Sequence, residues 1–133
     1  MPGPLTGVRV IDLTAVLLGP FATQHLADMG ADVIKVEPPD GDNLRQYPST
    51  LEKESRAFLG VNRSKQGIVL DLKQPADHAA LLRLVREADV LVHNCRPSET
   101  NRQGIDIDSQ SVINPRLIIS AVTEERWNAR LDA

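Results

Sequence analysis

Short runs of valine, isoleucine and leucine recur along the chain, and longer stretches with a helical spacing of apolar residues separate them. Runs of about four to eight such residues, bounded by glycine, proline or charged residues, are typical of buried strands. The sequence therefore predicts five strands, at residues 8–13, 32–37, 67–72, 90–93 and 116–122.

The clearest predicted helix covers residues 75–88. Its apolar residues recur at intervals of three and four and form one stripe: Ala80, Leu81, Leu84, Val85 and Ala88. A second helix is predicted at residues 21–29, because Gly19-Pro20 favours a helix start and Gly30 stands where a terminating glycine belongs.

Three stretches carry weaker patterns. Residues 98–103 and 108–113 are each predicted to form a short helix. Residues 40–60 contain Gly41, Pro48 and many charges, and a loop of that length is usually functional or holds a short helix of its own.

The alternation of strands and helices predicts the fold class. Such a chain forms right-handed crossovers and a mostly parallel sheet. We therefore expect an α/β protein with a Rossmann-like, mostly parallel sheet and flanking helices. Ligands of such sheets bind beyond the carboxyl ends of the strands, which lead here into residues 14–19, 37–41, 73–74 and 94–97.

Composition narrows the class of protein. The chain has 133 residues, which suits one domain, and its net charge of −3 without a basic stripe argues against nucleic-acid binding. Its single cysteine fits a reducing compartment, no apolar run is long enough to span a bilayer, and residues 1–4 lack the features of a secretory signal. A cytoplasmic protein is expected. No metal site is predicted, because neither His25 nor His78 has a ligand spacing to another His or Cys.

A plain dinucleotide-binding domain is a disfavoured alternative. Glu37 follows the second strand, where an acidic residue can bind a ribose. The G-x-G-x-x-G turn that should accompany it is absent, since Gly19 stands alone before Pro20.

Residues 4–37 read PLTGVRVIDLTAVLLGPFATQHLADMGADVIKVE. This stretch resembles the start of the class III CoA-transferases, a family that includes formyl-CoA transferase, carnitine CoA-transferase and the α-methylacyl-CoA racemases. Three further blocks match in order: residues 62–73 (NRSKQGIVLDLK), 88–97 (ADVLVHNCRP) and 114–120 (NPRLIIS). The resemblance implies a nucleotide-binding-type domain formed partly by this segment, a second smaller domain and an interlocked dimer.

The resemblance also implies that coenzyme A binds at three places. These follow the first, third and fourth predicted strands and comprise Ala15, Val16, Leu17 and Leu18, then Lys73, then Asn94, Cys95 and Arg102. Lysine and arginine suit the phosphates of CoA, and the helix start at Gly19-Pro20 offers backbone N–H groups. Ala15, Pro38 and Cys95 depart from the family, which often has a polar, a basic and an aromatic residue there, and each change is expected to weaken nucleotide contacts.

No catalytic residue is assigned. The resemblance implies an aspartate, beyond a glycine-rich loop, that forms an acyl anhydride in the transferases. Residues 123–127 (TEERW) contain no glycine, and Asp132 does not sit in the family's motif. We expect residues 1–122 to form a CoA-binding α/β segment and 123–133 a divergent polar tail. The chain is then incomplete and inactive alone, and whether it is an enzyme stays open.

Two further interpretations remain beside a transferase that moves CoA between an acyl-CoA and a carboxylic acid. One is a segment of an α-methylacyl-CoA racemase. The other is a non-catalytic CoA-binding or interaction fragment, completed by a second copy in a homodimer or by a chain that supplies the missing domain. Cys95 is interpreted as a packed thiol because no orienting acid accompanies His93, and Asp12 as an acceptor for nearby backbone donors.

Overall fold

The computed structural model describes residues 2–47 and 55–122. Their strands are β1 (Arg9–Leu13), β2 (Asp32–Glu37), β3 (Gln66–Val69), β4 (Val90–His93) and β5 (Ile118–Ala121). Their helices are α1 (Leu18–Asp28), α2 (Arg56–Asn62), α3 (Pro75–Arg86), α4 (Pro97–Gln103) and α5 (Ile107–Ile113), with a 3₁₀ turn at Asn43–Gln46.

The five strands form one parallel sheet in the order β3-β2-β1-β4-β5. Ile11 of β1 stands opposite Ile34 of β2 on one side and Leu91 of β4 on the other. The chain builds outward from β1 to β3 and then returns to the other side of β1. The order therefore changes direction between β1 and β4, and the predicted parallel α/β sheet is confirmed.

The core lies on both faces of this sheet, because successive strand residues point to opposite sides. Val10 and Ile11 of β1 are both fully buried, but they belong to different clusters. On one face, α3 packs its predicted stripe, with Leu81 and Val85 fully buried. On the other face, Ala27 of α1 packs against β1, β2 and β4.

The structure moves several predicted boundaries. Helix α1 begins at Leu18 instead of residue 21, since Gly19 and Pro20 are buried in its first turn and the Phe21 N–H donates to the Leu17 carbonyl at 2.9 Å. Leu18 is thus a helix residue, and not a loop residue as expected. Strand β3 ends at Val69 instead of residue 72.

Residues 40–60 contain the 3₁₀ turn and the start of α2, which the sequence pattern did not resolve. Two buried apolar residues of this stretch, Leu44 and Phe58, form a third small cluster with Val61. The predicted polar tail at 123–133 lies outside the described residues.

Candidate functional site

The segment between β1 and α1 forms the centre of the carboxyl-end edge of the sheet. Val16 adopts a φ of 70°, in the left-handed region that β-branched residues rarely occupy. Its neighbour Leu17 and the first helical residue, Leu18, expose 50% and 61% of their surface. A Cβ placed on Gly19 would lie 2.4 Å from Thr14 Cβ, so only glycine lets α1 begin this close to the loop.

Asn94 joins this loop to the one that follows β4. Its side-chain oxygen accepts from the Ala15 N–H at 3.1 Å, and its side-chain nitrogen donates to the Ala15 carbonyl at 2.9 Å. The two loops therefore meet where the strand order reverses, which is the usual ligand position in open parallel sheets.

A buried ion pair lies beneath the same loop. Lys35 Nζ is 3.0 Å from Asp42 Oδ2, and the two side chains are 3% and 0% exposed. Lys35 also donates to the Thr14 carbonyl at 2.8 Å, while Asp42 Oδ1 accepts from the Val16 N–H at 3.0 Å. Burial alone would raise the pKa of Asp42, but the Leu44 N–H, Lys35 and the Val16 N–H outweigh it and hold that pKa below its usual range.

A second buried pair joins Lys65 to Asp12 at 3.0 Å. Asp12 accepts from the backbone N–H and the hydroxyl of Thr14 and from the hydroxyl of Thr23 at 2.6 Å. The expected backbone donor is present, but a lysine and two hydroxyls add to it. Burial lowers the pKa of Lys65, and the Asp12 charge opposes that shift.

Glu37, at the end of β2, is held by Arg45. The guanidinium donates to both carboxylate oxygens, at 2.8 and 2.7 Å, and its carbon lies 3.7 Å from the centre of the Phe58 ring. The hydrogen bond from Arg45 is the main reason why the pKa of Glu37 lies below its usual range, although partial burial opposes it. Glu37 is therefore engaged within the protein.

Lys73 and Arg102, the cations among the predicted CoA-binding residues, line one open cleft of about 410 Å³. Lys73 follows β3 and Arg102 lies on α4 after β4, so the fold brings together residues that are far apart in sequence. The cleft is lined by Leu72, Lys73, His78, Asn101, Arg102, Gln103 and Gly104.

Cys95 is partly buried and packs against the core cluster that contains Leu91. Burial, together with the nearby Glu99 charge, raises the pKa of its thiol to about 11. The thiol is therefore protonated at neutral pH, which matches its interpretation as a packed group. Burial lowers the pKa of His93, so that imidazole is neutral at pH 7.

The sequence predicts a binding role for the loop after β1 and for the cations Lys73 and Arg102, but it does not point to Lys35, Asp42 or Lys65. A signal for Lys35 was available, since a lysine inside the apolar run 32–37 needs a buried anion. Of the predicted residues, the structure joins Ala15 to Asn94 and places Lys73 with Arg102. The predicted CoA contacts themselves remain predictions.

Residues 2–47 and 55–122 contain no helix long and apolar enough to cross a bilayer. Within the same ranges, no three His, Cys, Asp or Glu side chains gather in a way that could hold a metal ion.

Fold and site together define a doubly wound α/β domain with its candidate site at the point where the strand order reverses. The chain belongs to CoA-transferase family III, whose family profile matches residues 5–124.

Two curated relatives and one solved structure illustrate the match. The chain is 48% identical over 120 residues to the acetyl-CoA:oxalate CoA-transferase of Acetobacter aceti, covering 90% of this chain and 31% of that protein. It is 45% identical over 128 residues to the succinate–glutarate CoA-transferase of Agrobacterium fabrum, covering 90% of this chain and 32% of that protein. A CAIB/BAIF family protein from Brucella suis superposes with a TM-score of 0.84 at 37% identity, over 90% of this chain and 33% of that one.

The chain therefore spans about a third of the length of the curated relatives that it matches.

Proposed function

We propose that this chain forms the CoA-binding α/β part of a CoA-transferase that moves CoA between an acyl-CoA and a carboxylic acid. Membership of CoA-transferase family III supports the general activity. The curated relatives described above are transferases by name, which favours transfer over the racemase alternative.

The cleft that joins Lys73 to Arg102 carries the proposal. CoA bears a 3′-phosphate and a pyrophosphate, so its nucleotide end needs cations and N–H donors. Within the described part of the chain, neither Lys73 nor Arg102 forms an ion pair with another side chain. Two such cations at an open cleft favour a bound anion, and arginine can hold a phosphate with two parallel hydrogen bonds.

The loop at the strand reversal is proposed to receive the rest of the ligand. Its exposed Leu17 and Leu18 offer apolar surface beside the start of α1. Asn94 fixes the backbone of Ala15 through both of its polar atoms, so the loop is already ordered before a ligand binds. In this proposal the residues of the chain bind and orient CoA, and none of them is assigned a covalent step.

The proposal is tested by isothermal titration of the 133-residue chain with CoA. We expect Lys73→Ala and Arg102→Ala each to raise the dissociation constant about tenfold, since one charged hydrogen bond contributes roughly 1.5–3 kcal/mol. Arg83→Ala is the matched control, because Arg83 is an exposed cation in the last turn of α3, at the other end of the helix that Lys73 precedes.

A further titration with dephospho-CoA identifies the phosphate involved. If the cleft holds the 3′-phosphate, the cleft variants weaken CoA binding much more than dephospho-CoA binding. A folded chain that binds neither ligand contradicts the proposal. The interpretation as a non-catalytic interaction fragment would then be the better one.

A further inference from the structure

The buried pair of Lys35 and Asp42 forms hydrogen bonds with the loop after β1 at two points. Each side chain uses one contact for its partner and another for the loop backbone. Lys35 holds the Thr14 carbonyl at 2.8 Å, and Asp42 holds the Val16 N–H at 3.0 Å. The two anchor points flank Ala15, which Asn94 fixes from the other side.

The conformation of this loop needs such support. Val16 has a positive φ of 70°, and a valine in the left-handed region costs free energy, because its branched side chain meets the backbone. Strained conformations of this kind persist only where the surrounding structure holds them. A lysine and an aspartate that are almost fully buried are also costly, so stability alone explains neither charge well.

Asp42 is itself held in position. Its backbone N–H donates to Glu37 Oε2 at 3.1 Å, and Arg45 holds that same carboxylate. Its Oδ1 also accepts from the Leu44 N–H at 2.9 Å, which caps the 3₁₀ turn. The support of the loop thus reaches from β2 through the 3₁₀ turn to Val16.

We propose that Lys35 and Asp42 are positioning residues, which hold residues 14–16 in their bent conformation so that the loop and the start of α1 are preorganised for CoA. The inference rests on the proposed function, since it concerns the same site. Neither side chain contacts the ligand in this proposal, because both are buried beneath the loop.

The test uses the double variant Lys35→Met/Asp42→Leu in the 133-residue chain. The double variant buries no unpaired charge, but it removes the partners of the Thr14 carbonyl and of the Val16 and Leu44 N–H groups, so the unfolding temperature should fall by roughly 5–15 °C. The double variant loses both side-chain hydrogen bonds to the loop. Amide hydrogen exchange at residues 15–17 should then accelerate at least about tenfold, and the CoA dissociation constant should rise about tenfold.

Val85→Ala is the control for general loosening. Val85 of α3 is fully buried. It belongs to the core cluster on one face of the sheet, whereas Val10 and Val33 belong to the cluster on the other face. This variant should lower the unfolding temperature, because it leaves a cavity. It should leave both the exchange pattern of residues 15–17 and the CoA affinity within about twofold.

Val16→Gly is a second test that keeps both charges. Glycine accepts a positive φ without strain. If the ion pair holds the loop, the amide at position 16 should stay as protected as in the unchanged chain. A lower protection factor at residue 16, corrected for the faster intrinsic exchange of glycine, would show that the ion pair does not hold the bend by itself, and it would overturn the proposal even if the double variant fails to fold.

The outcomes separate this inference from the proposed function. If the unchanged chain binds CoA and the folded double variant binds it equally well, the positioning role alone is overturned. Loss of binding in the double variant without faster exchange at residues 15–17 also overturns it. An unchanged chain that does not bind CoA overturns the proposed function and this inference together.

Discussion

Lys35, Asp42, Lys65 and Asp12 are charged side chains with at most 3% exposure, and they occur as two pairs. Removing one member of such a pair leaves an uncompensated buried charge, which costs about 3–5 kcal/mol. Most single substitutions cost less than that. Within the described residues, we therefore expect single charges to matter most at these two pairs.

Glu37 gives a pH-dependent prediction. Its pKa is lowered in the folded state, so its contribution to stability is present above its unfolded pKa of about 4.3 and is lost as the pH falls through the lower folded value. We expect Glu37→Gln to cost about 1–3 kcal/mol at pH 7. The difference should shrink as the pH falls below about 4.3 and should be lost only below the lowered folded pKa, as followed by thermal unfolding at falling pH.

Glu87→Gln is the control for Glu37. Glu87 has a side chain that is 76% exposed, and its contact with Arg9 is 3.4 Å long. Exposed ion pairs contribute little to stability, so this change should alter the free energy of unfolding by less than about 0.5 kcal/mol at every pH. A Glu37→Gln difference that stayed constant with pH would show that the carboxylate is not charged in the way proposed.

The thiol of Cys95 gives a second prediction at this scale. Its pKa of about 11 means that few thiolates form at neutral pH. We expect alkylation by iodoacetamide to be slow at pH 7 and to keep rising to about pH 11, whereas an ordinary thiol levels off near its pKa of about 8.5. Cys95 is the only cysteine in the chain, so mass spectrometry reads this site alone. A rate that levels off at pH 8–9 would contradict the buried environment.

At the scale of elements, α1 begins against the loop that follows β1. Gly19→Ala would place a methyl group 2.4 Å from Thr14 Cβ, and the helix would have to move away. We expect this substitution to cost roughly 1–3 kcal/mol, as overpacking usually does, and to weaken CoA binding. Thermal unfolding and titration measure the two effects.

Gly60→Ala is the matched control for Gly19→Ala. Gly60 lies inside α2, and beyond its chain neighbours and the backbone of its own helix no described atom lies within 4 Å of the added Cβ. Alanine favours a helix, so this change should stabilise the chain by about 0.5–1 kcal/mol. Equal destabilisation by the two substitutions would show that the contact with Thr14 does not limit the position of α1.

Elements with a strong repeat were predictable from the sequence. The stripe of α3 and the aliphatic runs of β2 and β4 identified their elements, because most of their pattern comes from burial in this sheet. Helix α2 was not predictable, since seven residues with only Phe58 and Val61 buried form no stripe. Its position depends on packing against α1 and the 3₁₀ turn, which no local pattern records.

The site was predictable to a similar extent. The loop after β1 and the cations Lys73 and Arg102 follow from strand ends and from the family resemblance. The partner of Lys35 did not follow, because Asp42 lies in a stretch without a hydrophobic repeat and reaches the lysine only through the 3₁₀ turn. Long-range pairing of polar side chains leaves no period in a sequence.

At the scale of the whole molecule, the sheet has two edge strands. Among the described residues, β3 pairs with β2 alone and β5 with β4 alone. Val69 of β3 is 62% exposed and Ile118 of β5 is 64% exposed. Exposed apolar edges of this kind favour pairing with another chain.

We therefore expect the 133-residue chain to self-associate as its concentration rises. Ile118→Lys should reduce that association, because a lysine on an edge strand opposes pairing. Val112→Lys is the control, since Val112 is 84% exposed and lies on helix α5 and not on a strand. Light scattering over a dilution series measures the molar mass. A chain that stays monomeric at all concentrations would contradict the expectation of dimerisation.

The hydrogen bonds between Ala15 and Asn94 have a consequence for how the chain folds. They connect residues 79 positions apart, so forming them closes a long loop of the chain. Such closures are slow and entropically costly compared with local ones. Strands β1, β2 and β3 can pair in chain order, but the loop after β1 acquires its last anchor only when β4 docks. We therefore expect the proposed CoA site to form late in folding, and during synthesis only after residue 94 has left the ribosome.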